Sequence, residues 1–523
     1  MKKNWAFIFI IGIFSFLGGK ISTNWFAPQS ESHQPTFRVP SSEFMSEKER
    51  TFVEEVNRKL ISIKSKDQVI PAIKELQDLV SQNPDMKVLK LYELSLRQIP
   101  LMEGIVWRLR PLVEACYTCH VRILSYIKWQ YSKTYLMGPH VSALLDFFVE
   151  PNKNEKPFES FSEVQDFISS TMIPIAEGAY KDLDNIINSA PEGYLFDLDS
   201  YLALGFDDDN NVRFISDEKR QRKIVRGNLH LYKARKARSL ALMYYGVNYN
   251  VEDIPAYINE IVKHTGLNSI DSKFQKKLGS LMSLGRKDRD WSQVAKTLPK
   301  PNSLIEYLSA LEKFPKIGTP RSSISTSNLL SNLNKSMNYF YESAVARHRG
   351  RVDSYNETKN GNSIDYLIQP DAMALNHDQI VHDLSERVTI WKNAVSGKGA
   401  TPITSTRTGM QFEIDPRAFF KGSDLKVFLP HWSGYKMVNN FKQKDRGNYL
   451  KKGSRRGPKT VKNKKTGESI WRWNYDYGHA TWWKDPTMNG LLPNTTNNNV
   501  YEKIRSVRYT PSTRRFGAIL PTL

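Results

Sequence analysis

Cysteine is almost absent from this chain. Two occur in 523 residues, so a disulfide here could close at most one very small loop and add little stability. Signatures of the common enzyme classes are absent as well. The chain has no G-x-S-x-G, no H-E-x-x-H and no glycine-rich phosphate loop. Asp476 and Asp485 lie near one another, but no carboxylate pair stands in a glycosidase-like setting. No strict repeat period appears, so the chain is not read as a solenoid, and no nucleic-acid-binding motif is found. Acidic residues are in deficit: 54 Asp and Glu face 75 Lys and Arg, for a net charge of +21.

That charge has to be read with the N-terminus. Met1-Lys2-Lys3 precedes an uncharged apolar run from Trp5 to Gly19, and Lys20 follows. A positive start before such a run reads as a signal peptide or N-terminal membrane anchor over residues 1–27. The run is short for a full span, and extends to Phe26 if the Lys20 side chain snorkels. No clear small-residue cleavage site follows, so the flanks favour an uncleaved anchor. The expectation is an exported protein, periplasmic or on the outer face of the cytoplasmic membrane. A basic surface in that setting points to an acidic redox partner or an anionic envelope polymer, and away from nucleic acid.

The two cysteines stand together, as Cys116-Tyr117-Thr118-Cys119-His120. On a helix, thiols at i and i+3 face one side, and both can form thioethers to one porphyrin while the adjacent imidazole reaches the iron. The pentapeptide resembles the haem-attachment motif of c-type cytochromes. This resemblance covers the motif and the export segment alone. It implies one covalent haem c tethered by Cys116 and Cys119, with His120 as proximal ligand. Met137 and His140 flank the Gly138-Pro139 break and are candidates for the sixth ligand; Met102 and Met172 are more distant ones. Each has a plainer reading, a methionine as core filler and His140 as a helix-start residue. For the cysteines the alternatives are a local disulfide, a reduced structural pair, or two ligands of a zinc site that lacks a fourth.

The rest of the chain reads as mainly α, a multi-helix array or bundle with a small mixed, β-containing C-terminal region. Residues 28–45 are a polar tether. Ser46 and Glu49 form a capping box before Phe52, Val56, Leu60 and Ile63 at helical spacing. Pro71 opens a second helix, and a third spans about 85–98. A long helix over about 113–135 carries the motif, and another spans His140–Val149. Further helices are expected at 158–170, 173–189, 216–245, within 253–315, at 325–349 and at 371–396. The helical domain carrying the motif is 46–295. A Pro/Ser-rich connection at 296–325 joins it to a helical segment at 326–395.

Asp207, Asp209, Asn211 and Glu218 mimic a calcium loop, but Val212 stands where the sharp turn needs glycine, so a polar turn is the reading. His377 and His382 lie at i and i+5, which does not place two ligands on one helix face. The 216–245 helix bears nine basic residues from Lys219 to Arg238 and reads either as a solvated face or as a dock for an acidic partner.

Residues 396–410 read as a linker to a Trp-rich, basic C-terminal region at 411–523. Eleven Lys or Arg in 442–465 suggest a mobile basic loop. Lys464–Gly467 is expected to be a turn, with a strand over 470–475. The tryptophans here, Trp432, Trp471, Trp473, Trp482 and Trp483, form either a small aromatic core or a glycan-binding surface. With no catalytic constellation visible, an electron carrier or redox sensor is favoured over an enzyme. The competing class is a non-catalytic envelope scaffold or wall-binding protein.

Overall fold

The computed structural model describes residues 46–114, 139–189, 226–265, 310–359, 377–404, 409–429 and most of 483–504, together with short strands over 196–224 and 437–480. Twelve α-helices dominate the described residues, so the chain is mainly α, with small antiparallel sheets.

Helix α1 (Glu47–Ser62) starts on the capping box. Ser46 Oγ accepts the Glu49 N–H at 3.2 Å, and the Glu49 carboxylate accepts the Ser46 N–H at 3.1 Å. Helix α2 (Val69–Gln82) holds Pro71 in its first turn, where no intrahelical donor is lost. It stops at Asn83, whose side-chain amide donates to the Leu79 carbonyl at 3.0 Å. Helix α3 is Lys87–Leu96. These three bury Val56, Ile73, Leu76 and Leu89 in one apolar cluster.

Short helices α4 (Ile105–Arg108) and α5 (Arg110–Glu114) follow, and the described chain resumes at α6 (Pro139–Val149). Ala143 and Phe147 of α6 complete the first cluster. Helix α7 (Phe161–Phe167) continues through a π-turn, Ile168–Met172, into α8 (Ile173–Ser189). The expected break near residue 171 is thus a widened turn within one continuous helical run. Pro174 lacks an N–H and its ring crowds the preceding turn, and the extra residue of the π-turn relieves both. The opposite face of α3 packs Val88, Leu91 and Leu94 against Leu183, Ile186 and Ile187 of α8.

Helix α9 runs Arg226–Gly246, not from 216. The residues before it form a strand: β4 (Gln221–Ile224) pairs antiparallel with β1 (Phe196–Asp199), setting Asp197 opposite Lys223. A second short pair joins β2 (Leu204–Phe206) to β3 (Val212–Phe214), and the remainder of the calcium-like loop lies outside the described residues. Helix α10 is Ile254–Thr265 and α11 is Thr326–Lys359, which runs ten residues past its expected end.

Helices α9 and α11 lie antiparallel, and small residues repeat every seven positions along the seam. Gly227, Ala234 and Ala241 of α9 face Gly350, Ser343 and Ser336 of α11. Ser336 Oγ donates to the Ala241 carbonyl at 2.6 Å, and Ser343 Oγ to the Ala234 carbonyl at 2.8 Å. A seven-residue period keeps one narrow stripe facing the partner, and the absence of bulky side chains lets the backbones approach closely.

Helix α12 (His377–Val395) packs on α11. Residues 401–404, expected within a linker, form strand β5 (Thr401–Thr404), paired with β6 (Gln411–Ile414). Alternate residues point inward, so Ile403, Phe412 and Ile414 join Phe340, Ile390 and Trp391 in the largest core. Trp391 stacks on Phe340 with ring centres 5.1 Å apart. Trp483, Leu491 and Leu492 close the same core, so this part of the C-terminal region is continuous with the helices.

The basic stretch 442–465 is not simply a loop. It holds β8 (Tyr449–Lys452) and β9 (Pro458–Lys462). Strand β9 pairs with β10 (Ser469–Trp473) across the expected turn, while β11 (Tyr477–Ala480) lies between β8 and β7 (Met437–Val438).

Candidate functional site

Cys116, Cys119, His120 and Met137 lie outside the described residues, as does the expected motif helix beyond Glu114. His140 is the second residue of α6. What the structure describes is the frame around the segment: α5 ends at Glu114 and α6 begins at Pro139.

The frame is tied by Gly104, just before α4. Its backbone has φ +61°, a left-handed conformation that glycine takes without strain. Its N–H donates to the Phe147 carbonyl of α6 at 2.8 Å. A side chain there would meet the Glu150 carbonyl oxygen at 2.9 Å and the Asn152 nitrogen at 3.0 Å. The chain entering the motif segment is therefore fastened to the helix that leaves it.

Met102 and Met172 are 5% and 1% exposed, packed with Ile105, Leu109 and Ile168 in one apolar cluster. Both are core residues in this arrangement. Arg108 borders the same cluster, its guanidinium 4.1 Å from the Phe158 ring centre and 3.2 Å from Glu155.

That cluster also holds a polar network built from three helices, which no local sequence pattern singled out. Tyr244 of α9 donates to Glu177 Oε1 of α8 at 2.7 Å, and Tyr339 of α11 donates to the same oxygen at 3.0 Å. Tyr180 of α8 donates to Glu342 of α11. Lys335 Nζ donates to the Tyr244 hydroxyl at 3.1 Å, and Lys233 pairs with Asp184. Tyr244 and Tyr339 stack with ring centres 5.9 Å apart, and Tyr180 meets Tyr339 edge-on at 5.5 Å.

Burial first, and then the carboxylates, push all three phenols above their ordinary range. They remain protonated at neutral pH and act as donors, so none serves as a general base there. The partial signal in the sequence was the three-residue spacing of Glu177 and Tyr180, repeated in Tyr339 and Glu342, which puts each pair on one helix face.

Among the described residues no group of three His, Cys, Asp or Glu side chains is placed to hold a metal ion. Among them, too, no helix is long and apolar enough to cross a membrane; residues 1–27 lie outside them. No family model, curated protein or solved structure matches this chain.

Proposed function

We propose that this is an exported envelope protein carrying one covalent haem c, and that it serves single-electron transfer or haem-based redox sensing. The observation that carries the reading is the pentapeptide Cys116-Tyr117-Thr118-Cys119-His120, which contains the only cysteines of the chain. The donor set fits the group: two thiols at the spacing that reaches two vinyl positions, and an imidazole directly after them. Bound there, the group supplies reversible one-electron chemistry. The chain's own residues do the rest. Cys116 and Cys119 tether, His120 ligates, and Met137 or His140 offers the sixth ligand. The bond from the Gly104 N–H to the Phe147 carbonyl ties the described chain before the segment to the helix after it. The N-terminal segment holds the protein at the membrane, and the basic surface receives an acidic redox partner.

The test is a pyridine-haemochrome spectrum of protein from its native host, taken after denaturation and extraction of non-covalent haem. One retained haem per chain supports the reading. Its absence, under conditions where other c-type cytochromes mature, sinks it. A wall-binding scaffold is the second reading. It is favoured by the basic strands β8, with Lys451 and Lys452, and β9, with Lys459 and Lys462, the latter paired with β10, which carries Trp471 and Trp473.

A further inference from the structure

The three phenols between α8, α9 and α11 touch in series. Tyr339 is the middle ring, stacked on Tyr244 with centres 5.9 Å apart and met edge-on by Tyr180 at 5.5 Å. Both separations are those of aromatic rings in contact. Tyr180 and Tyr244 are 8% and 5% exposed, whereas Tyr339 is half-buried. An oxidant at the surface therefore reaches Tyr339, while burial keeps Tyr180 and Tyr244 from meeting other solutes.

Every hydroxyl of the set donates to a carboxylate. Tyr244 and Tyr339 share Glu177 Oε1, at 2.7 and 3.0 Å, and Tyr180 donates to Glu342. A phenol that loses an electron becomes a cation and releases its proton readily, so a carboxylate already hydrogen-bonded to it lowers the cost of oxidation. Lysines distinguish the rings. Lys335 Nζ lies 4.9 Å from the Tyr244 ring centre, and Lys233 Nζ 5.3 Å from that of Tyr180. A cation over a ring is bound by its electrons and opposes their withdrawal. Among the described residues no cation stands over Tyr339, which makes it the ring easiest to oxidise.

We propose that Tyr180, Tyr244 and Tyr339 form a redox-active site, which gives one electron to a high-potential metal-centred oxidant and holds the resulting phenoxyl on Tyr339. In this step the oxidant is reduced by one electron. The Tyr339 O–H bond breaks and its proton passes to Glu177 Oε1, leaving a neutral phenoxyl and a carboxylic acid. When Tyr244 is oxidised first, Tyr339 supplies the electron that restores it. Glu177 then returns the Tyr244 proton and takes that of Tyr339, so one oxygen serves both transfers. A one-electron metal donor reverses the process. The same apolar cluster holds Ile105 and Leu109 beside α4 and α5 and Leu112 of α5, four residues before Cys116. The site thus shares a core with the approach to the motif, yet it is a property of three other helices and does not rest on the haem reading.

The experiment photo-oxidises the full-length chain in detergent with tris(bipyridine)ruthenium(III), generated by a flash with a cobalt(III) ammine as electron acceptor. Electron paramagnetic resonance of frozen samples follows the phenoxyl. Exposed tyrosyl radicals couple with one another and disappear, so a slowly decaying signal reports a protected ring. That signal is expected in the wild-type chain and lost in Tyr339→Phe. It should also be lost in Glu177→Gln, which keeps the shape but cannot take the proton. Tyr180→Phe removes a comparable contact and should retain it. Urea midpoints establish that each variant is folded in the working buffer. An unchanged signal in Tyr339→Phe or Glu177→Gln would overturn the site. So would loss in Tyr180→Phe, which would assign the effect to loosened helices. The photo-oxidant supplies the oxidising equivalent, so this result is independent of the haem content that the pyridine-haemochrome spectrum measures.

Discussion

Gly350 of α11 lies directly against Gly227 of α9. A Cβ built on Gly350 would stand 2.8 Å from the Gly227 carbonyl oxygen and 2.8 Å from Leu231 Cγ. Real side chains do not approach a backbone oxygen so closely, so the seam must open to admit one. Gly350→Ala is therefore expected to destabilise by about 1–3 kcal/mol, despite the helix propensity alanine brings. Gly178, inside α8, is the control. Its nearest neighbour in that direction is the tip of Arg97 at 3.8 Å, so Gly178→Ala should stabilise by about 0.5–1 kcal/mol. Urea unfolding of the two variants checks the opposite signs.

The seam also shows which parts of the fold were legible. The start of α1 was, because Ser46 and Glu49 satisfy each other within one turn and no distant partner is required. The α9–α11 pairing was not. Its stripe consists of Gly, Ala and Ser, which carry little hydrophobic contrast, and its seven-residue period is set by a helix more than eighty residues away. The start of α9 was misplaced for a related reason. Lys219 to Lys223 resemble a charged helical turn, but Asp197 lies opposite Lys223 in a strand pair no local window contains. The tyrosine network shares that character, since each bond crosses between helices. For the candidate haem ligands the pentapeptide spoke alone, because Cys116, Cys119 and His120 fall outside the described residues.

The network makes its own prediction. Tyr244 and Tyr339 donate to the same Glu177 oxygen, so their contributions should not add. Tyr244→Phe and Tyr339→Phe are each expected to cost about 1–2 kcal/mol. The double variant should depart from their sum by about 0.5 kcal/mol or more. Alkaline pH gives a second readout. Phenols raised above their unfolded value hold protons that the unfolded chain has lost. Their stabilisation is present below about pH 10 and declines as pH climbs above it. Phenolate absorbance from this set should appear together with unfolding. Tyr249, pushed up to about 12 chiefly by burial, belongs to the same late-titrating group.

His230 responds at the other end of the scale. It is 6% exposed in α9, and burial, followed by the charges of Arg226, Arg349 and Lys233, lowers it to about 4. Asp353 stands 3.7 Å from Nε2, too far for a hydrogen bond and opposed by three cations, so the ring is neutral. Above about pH 6.5 it is neutral folded and unfolded, with no effect of pH. Between there and about pH 4 only the unfolded chain takes the proton, and stability falls by roughly 3 kcal/mol. His230→Gln should remove that part of the acid slope. An unchanged slope in urea titrations across this range would place the proton elsewhere.

Gly104 links fold to proposed function most directly. Its left-handed backbone and its bond to the Phe147 carbonyl join the chain before the motif to the helix after it. Gly104→Ala meets two obstacles. Alanine is strained by about 1 kcal/mol at positive φ, and its methyl would press on the Glu150 carbonyl oxygen at 2.9 Å. The expected loss is about 2–4 kcal/mol, localised to the contact between α4 and α6. Two readouts separate its consequences. Hydrogen exchange should rise at Phe147 to Glu150 while the distant α9–α11 seam keeps its protection. Covalent haem per chain should drop in parallel, because the motif segment would enter maturation with one end unfastened. If exchange rises but haem content does not change, the tie serves the fold alone. If neither moves, the contact is not held in solution, and the frame around Cys116 to His120 is set by other residues.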